Sequence, residues 1–263
     1  MKVSTLPLTL SLCAFLVVAL PAFAEAPPEE DLSDSTLSFA PDRPGFGDAT
    51  TTVAPMHLAL EAGVSQSFAQ EGANLELPQV LLRFGLTSWA EVRLQVPGLS
   101  LPMDAEGVPL GTPGGIGFKL AYAPHDAVEL SWVASFGIPV AEIARGESLF
   151  TYASSLNMGV ALTPTLALGT TFAGEFSYAL DVDDAALDWA LGGALALSAS
   201  FDSTGIYIEG YAKGKDADDL QIALALGVTQ MLLPTLQIDV SFEYDLPEYG
   251  NGTRVALGIA TLF

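Results

Sequence analysis

From residue 56 onward, apolar side chains recur at every second position. In the final segment Val255, Leu257, Ile259, Thr261 and Phe263 fall on one face. A period of two places alternate side chains on opposite faces of an extended strand. Turn-forming residues cut 56–263 into about twelve pieces of strand length, at 56–69, 75–87, 90–101, 115–124, 127–139, 148–163, 166–181, 186–201, 205–213, 219–232, 235–246 and 252–263. Tight connectors (Thr87-Ser88-Trp89, Pro124-His125-Asp126, Thr163-Pro164-Thr165, Asp202-Ser203-Thr204 and Leu233-Pro234) alternate with longer ones at 70–74, 102–114, 140–147, 182–185, 214–218 and 247–251.

The two faces differ in kind. One register runs through Leu58, Leu60 and Val64, then Leu94, Ile116, Leu130, Leu156, Phe172, Leu195, Ile208, Leu224, Val240 and Leu257, with no charge between strand ends. The opposite register carries Glu61, Arg83, Glu91, Arg93, Lys119, Glu129, Glu175, Glu209, Asp239 and Glu243. A Lys or Arg at mid-bilayer on a barrel's lipid face costs roughly 2–4 kcal/mol, which excludes charge from that face. A soluble β-sandwich also alternates, but its polar face would hold more Lys, Thr and Gln than the Gly, Ala and Ser found here. The pattern predicts an all-β fold: a transmembrane antiparallel up-and-down β-barrel of about 12 strands, with tight turns and both termini on the periplasmic side. Phe68, Tyr122, Tyr178, Trp189 and Tyr244 sit near strand ends, as an interfacial girdle would.

Composition sharpens the picture. Half the residues are apolar and the mean hydropathy is +0.43, yet no long apolar run follows residue 24. Lys2, the apolar stretch Leu6–Leu20 and Ala22-Phe23-Ala24 have the layout of a signal peptide over 1–24. Residues 25–55 form a Pro- and acid-rich periplasmic leader that can fold into the lumen mouth as a plug, bringing Asp42 or Asp48 to Arg83 or Arg93. Residues 56–263 form the barrel. The expected location is the outer membrane of a Gram-negative bacterium. The one cysteine, Cys13, lies in the signal segment, which leaves no disulfide or thiolate metal site after cleavage. A net charge of −22 argues against nucleic acid, whose phosphates need a basic face.

A second line of reading is a resemblance. Asp42-Arg43-Pro44-Gly45-Phe46 leads through Thr50-Thr51-Thr52-Val53-Ala54-Pro55 to His57-Leu58-Ala59-Leu60-Glu61-Ala62-Gly63. Leu81-Leu82-Arg83-Phe84-Gly85-Leu86-Thr87 and Ala90-Glu91-Val92-Arg93 follow. This order resembles the MetA-pathway of phenol degradation, or transporter-like, family of outer-membrane barrels. Met56 stands where that family has Gly, and Phe84 where Tyr is common. The likeness is specific over 42–93 and only architectural over 94–263. It implies an outer-membrane barrel with a loosely defined transport role and no catalytic residues.

Candidate chemistry is sparse. His125 sits in a tight turn, and His57 has no serine fixed beside it, so no catalytic site is expected. Asp181, Asp183, Asp184 and Asp216, Asp218, Asp219 lack the glycine and distal glutamate of a calcium loop and read as solvated loop acids. Gly111, Gly114, Gly115 and Gly117 open no helix and are not a phosphate loop. No metal site and no cofactor are expected. The candidate site is a lumen charge belt of Glu61, Arg83, Glu91, Arg93, Lys119 and Glu129, either a constriction that filters solutes or an ion-pair network that closes a narrow barrel. Opposite it, Gly192, Ala194, Ala196, Ala223, Ala225 and Gly227 leave space. The expected function is passive passage of small, apolar or aromatic, molecules; the alternative is a non-conducting structural or surface-interaction barrel, with an outer-membrane enzyme a distant third. Expected partners are outer-membrane lipid, an unidentified small solute, and the barrel-assembly machinery acting through the C-terminal strand that ends at Phe263.

Overall fold

The computed structural model describes residues 39–43, 45–69, 72–103, 110–112, 114–138, 148–180, 185–216, 219–249 and 252–263. The expected signal peptide, the first part of the leader, Pro44 and the loop acids Asp181, Asp183, Asp184 and Asp218 lie outside these residues. Fourteen strand segments appear among them: β1 (Leu58–Ala69), β2 (Gly72–Thr87), β3 (Ala90–Val96), β4 (Leu99–Pro102), β5 (Leu110–Gly111), β6 (Gly114–His125), β7 (Val128–Ile138), β8 (Ser148–Thr163), β9 (Leu166–Leu180), β10 (Ala185–Phe201), β11 (Thr204–Gly214), β12 (Gln221–Leu233), β13 (Leu236–Asp245) and β14 (Thr253–Leu262). Every pairing between them is antiparallel, and β1 pairs with both β2 and β14, which closes the sheet. β3 and β4 together make one stave, so the wall is a closed 12-stranded antiparallel up-and-down barrel.

Two details depart from the sequence-based expectation. The third strand, read as 90–101, breaks at Pro97-Gly98. Proline has no N–H for the ladder, and beyond the break β4 stays on β2 but leaves β6 and takes up β5 instead. Thr112 seals the bend: its Oγ1 accepts from Gly98 N at 2.7 Å and its N–H donates to Gly98 O at 3.0 Å. The connector read as 70–74 shrinks, because Ala69 already pairs with Gly72, whose φ of 140° is open to glycine.

The faces follow the alternation. Leu94, Ile116, Phe172, Leu195, Ile208, Leu224 and Leu257 are exposed on the outside, while the largest fully buried side chains are Arg83, Lys119, Glu61 and Glu91. Charge inside and hydrocarbon outside is the inverse of a water-soluble domain, and an apolar belt of this extent is stable only in an apolar medium. Phe68, Tyr122, Tyr178, Trp189 and Tyr244 are all exposed. First and last strands are locked at one end, where Leu58 and Phe263 exchange backbone hydrogen bonds of 3.1 and 2.8 Å.

Candidate functional site: a charge belt and the segment that crosses it

The belt is set by register. The ladder places Arg83 directly across from Arg93, and Glu91 across from Lys119. Two guanidinium groups side by side repel unless anions lie between them. Three carboxylates compensate this pair. Glu61 Oε1 accepts from Arg83 Nη1 at 2.9 Å, and Glu91 takes Arg83 Nε at 2.8 Å and Nη2 at 3.0 Å in a two-pronged pair. The third, Asp42, comes from the leader. Its Oδ2 lies 2.9 Å from Arg93 Nη2 and 3.4 Å from Arg83 Nε, and its Oδ1 accepts from Lys119 Nζ at 2.6 Å. Burial works against an ionised Asp42, but Lys119, Arg83 and Arg93 outweigh it and hold the carboxyl well below the usual carboxylate range.

Residues 39–55 run through the lumen and bond to most of the wall. Asp42 N–H is shared between the two oxygens of Glu61 at 3.1 and 3.2 Å, and Val53 N–H donates to Glu91 Oε2 at 2.7 Å. Arg83 and Lys119 also donate to the carbonyls of Ala40 and Ala49, at 3.0 and 2.9 Å. Asp48 reaches Arg93 Nη2 at 2.9 Å and accepts from Ser155 Oγ at 3.1 Å. Glu129 stands apart from the ion pairs and accepts from the Thr50 hydroxyl. Across the lumen, Glu209 takes the N–H groups of Phe46 and Gly47 at 2.8 and 3.3 Å, and the Phe46 ring stacks on Tyr211 with centroids 4.8 Å apart. Phe39 packs against Val53, Ala59 and Leu262.

Adjacent residues Asp42 and Arg43 reach different neighbours. Arg43 Nη1 donates to Gln79 Oε1 at 3.1 Å, Nη2 to Leu257 O at 3.4 Å, and Nε lies 3.8 Å from Asp239 Oδ2. The guanidinium lies over Gly63 and Gly258, which pair with each other across β1 and β14. A Cβ at Gly63 would collide with the guanidinium, and one at Gly258 would strike the Asp239 carboxylate as well as Arg43 Nε. At Gly85 a side chain would strike the Val53 and Ala54 carbonyls. Arg43, Glu209 and Tyr211 are lumen partners that the sequence alone does not mark. The available signal was inward-facing glycine on neighbouring strands, which marks close approach by another backbone or side chain.

The segment leaves two lumen cavities. One, about 500 Å³, lies toward the longer connectors and is lined by Glu61, Gln79, Arg93, Ala173 and Lys213 together with Asp42, Arg43 and Asp48. The other, about 590 Å³, lies toward the tight turns and is lined by Glu129, Asn157, Tyr207, Glu209 and Gln237 together with residues 39–43 and 47–50. His57 Nδ1 contacts Pro55 O at 2.8 Å, and His125 Nδ1 accepts from Ala127 N–H at 3.1 Å, both local contacts. Among the described residues no group of three or more His, Cys, Asp or Glu is placed to hold a metal ion.

A closed 12-stranded antiparallel barrel with an apolar exterior and a charged lumen is the fold of outer-membrane porins and channels. An outer-membrane channel from Pseudomonas putida F1 superposes with a TM-score of 0.63 at 12% identity, over 84% of this chain and 99% of that one. The NanC porin gives 0.56 at 8% identity over 77% and 98%, and the KdgM porin, solved with disordered oligogalacturonate, gives 0.52 at 10% over 77% and 98%. At these identities the likeness carries the fold. No family model and no curated protein matches the chain.

Proposed function

We propose that the chain is an outer-membrane barrel for passive passage of small molecules, and that residues 39–55 act as a plug seated on the charge belt. One observation carries this reading: a segment that is not part of the wall lies between two lumen cavities, held by hydrogen bonds and ion pairs, with a single bridge from Pro55 to Gly85 as its strand-like contact. Contacts of this kind release the segment as a unit without breaking the wall's own ladder. The exposed apolar belt and the expected signal peptide support placement in the outer membrane of a Gram-negative bacterium. The sequence motifs over 42–93 support kinship with the MetA-pathway, transporter-like barrels. Ala194 and Ala223, expected to leave space, are covered by Tyr211 and Phe46; the small residues Ala153, Ala173, Gly174 and Ala190 along the 500 Å³ cavity support a solute with an apolar or aromatic body.

The rival reading, a non-conducting structural barrel, draws on the same belt, whose wall cations Arg83 and Lys119 are buried and paired. Liposome swelling separates the two. Passage predicts swelling with small neutral and aromatic solutes, faster once residues 25–50 are deleted. Swelling absent from both proteins would leave the structural barrel.

A further inference from the structure

The wall alone leaves the belt one anion short. β1, β2, β3 and β6 supply three buried cations, Arg83, Arg93 and Lys119, against two buried carboxylates, Glu61 and Glu91. The charge that completes the set, Asp42, comes from the leader, as does Asp48 on the outer side of Arg93. Its fit is incomplete. Asp42 Oδ1 accepts from Lys119 Nζ and from Ala49 N–H, at 2.6 and 2.9 Å. Asp42 Oδ2 lies at ion-pair distance from both guanidinium groups but out of line for a hydrogen bond, and Arg93 Nη1 is buried without a partner. The tether explains the compromise: Glu61 holds the Asp42 N–H, and Lys119 and Ala49 N–H hold Oδ1, which leaves Oδ2 where it falls.

We propose that the seat of Asp42 is a carboxylate-binding subsite of the lumen, and that a small organic carboxylate takes its place between Arg83, Arg93 and Lys119 when the leader withdraws. The inference rests on the passage reading and names its solute class. Guanidinium forks match the two oxygens of a carboxylate. An untethered carboxylate can rotate to meet Arg93 Nη1, which Asp42 leaves free of a partner. A neutral solute in the same seat would leave a buried cation uncompensated, which is strongly unfavourable. Beside the seat, the 500 Å³ cavity is lined by Ala153, Ala173, Gly174, Ala190 and Gly192, which leave room for an apolar or aromatic body. The leader thus occupies the site as an internal substitute for the solute.

Chemical rescue tests this. The Asp42→Ala protein is refolded, its closure checked by heat-modifiable migration on gels, and its unfolding temperature measured with acetate, benzoate, acetamide, benzamide or chloride at equal concentration. Acetate and benzoate should raise that temperature, and the amides and chloride should not. In Asp42→Ala with Lys119→Met, carboxylate affinity should fall by about tenfold or more. No effect of either carboxylate overturns the proposal, and so does an equal effect of chloride, which would indicate screening. If Asp42→Ala does not fold, the unmodified protein decides: benzoate should speed proteinase K cleavage within 39–55 and benzamide should not, whereas equal rates overturn the proposal. These readouts report binding without passage. Failed swelling with successful rescue would therefore sink the passage reading alone, and the reverse would sink only the carboxylate subsite.

Discussion

At the residue scale Asp42 touches all three belt cations, while its neighbour Arg43 reaches toward β13 and β14. Removing one member of a buried charge network costs about 3–5 kcal/mol, because the partners stay desolvated. Asp42→Ala should therefore lower stability in urea by an amount of that order, and Asp42→Asn by nearly as much, since an amide restores no charge. The pH dependence follows from the direction of the shift. A carboxyl held below its ordinary value contributes stability that is complete above the unfolded-state pKa, about 4, and is lost as pH falls below that. Protease protection of residues 39–55 should thus be unchanged between pH 8 and pH 5 and should weaken only in stronger acid. Release at pH 6 would mean that Asp42 does not hold the segment.

At the scale of single elements, β12 offers the sharpest contrast of faces. Leu224 is exposed, whereas Ala225 is buried and pairs with Glu209 on one side and Glu243 on the other. Leu224→Arg should cost roughly 2–4 kcal/mol if it meets lipid near mid-bilayer. Ala225→Arg places its cation beside two carboxylates and should cost clearly less; equal losses in equilibrium unfolding would contradict the assignment. Gly63→Val tests the seat of Arg43, whose guanidinium supplies every close contact there: it should loosen residues 39–55 toward protease while the barrel still folds, and Arg43→Ala should relieve the crowding. The strands are legible in the sequence because period two is a local signal repeated along each one. The break at Pro97-Gly98 has a local cause, but its consequence, β4 leaving β6, depends on where Thr112 lies. The Gly63 and Gly258 pair is not legible, because it forms only when the first and last strands meet.

At the scale of the whole molecule, a barrel that turns its charges inward must neutralise them, and here a segment outside the wall completes the neutralisation. The inward register of Glu61, Arg83, Glu91, Arg93 and Lys119 follows from alternation alone. Their partners do not. In sequence Asp42 and Asp48 are equivalent candidates, and only the course of residues 39–55 seats Asp42 among all three cations and leaves Asp48 on Arg93. Glu129 reads as part of the belt by register, yet it meets Thr50 rather than a cation, because the residue of β7 that faces Lys119 is Val133, four positions along the strand. The central claim is that this segment closes a lumen that otherwise passes small solutes. Single-channel conductance in a planar bilayer, compared between the full-length protein and one lacking residues 25–50, tests it most directly. The full-length protein should show low or intermittent conductance and the shortened one a clear, sustained increase, with Arg83→Ala and Arg93→Ala together giving part of that increase. Equal conductance of the full-length and shortened proteins, or none from either, would contradict it.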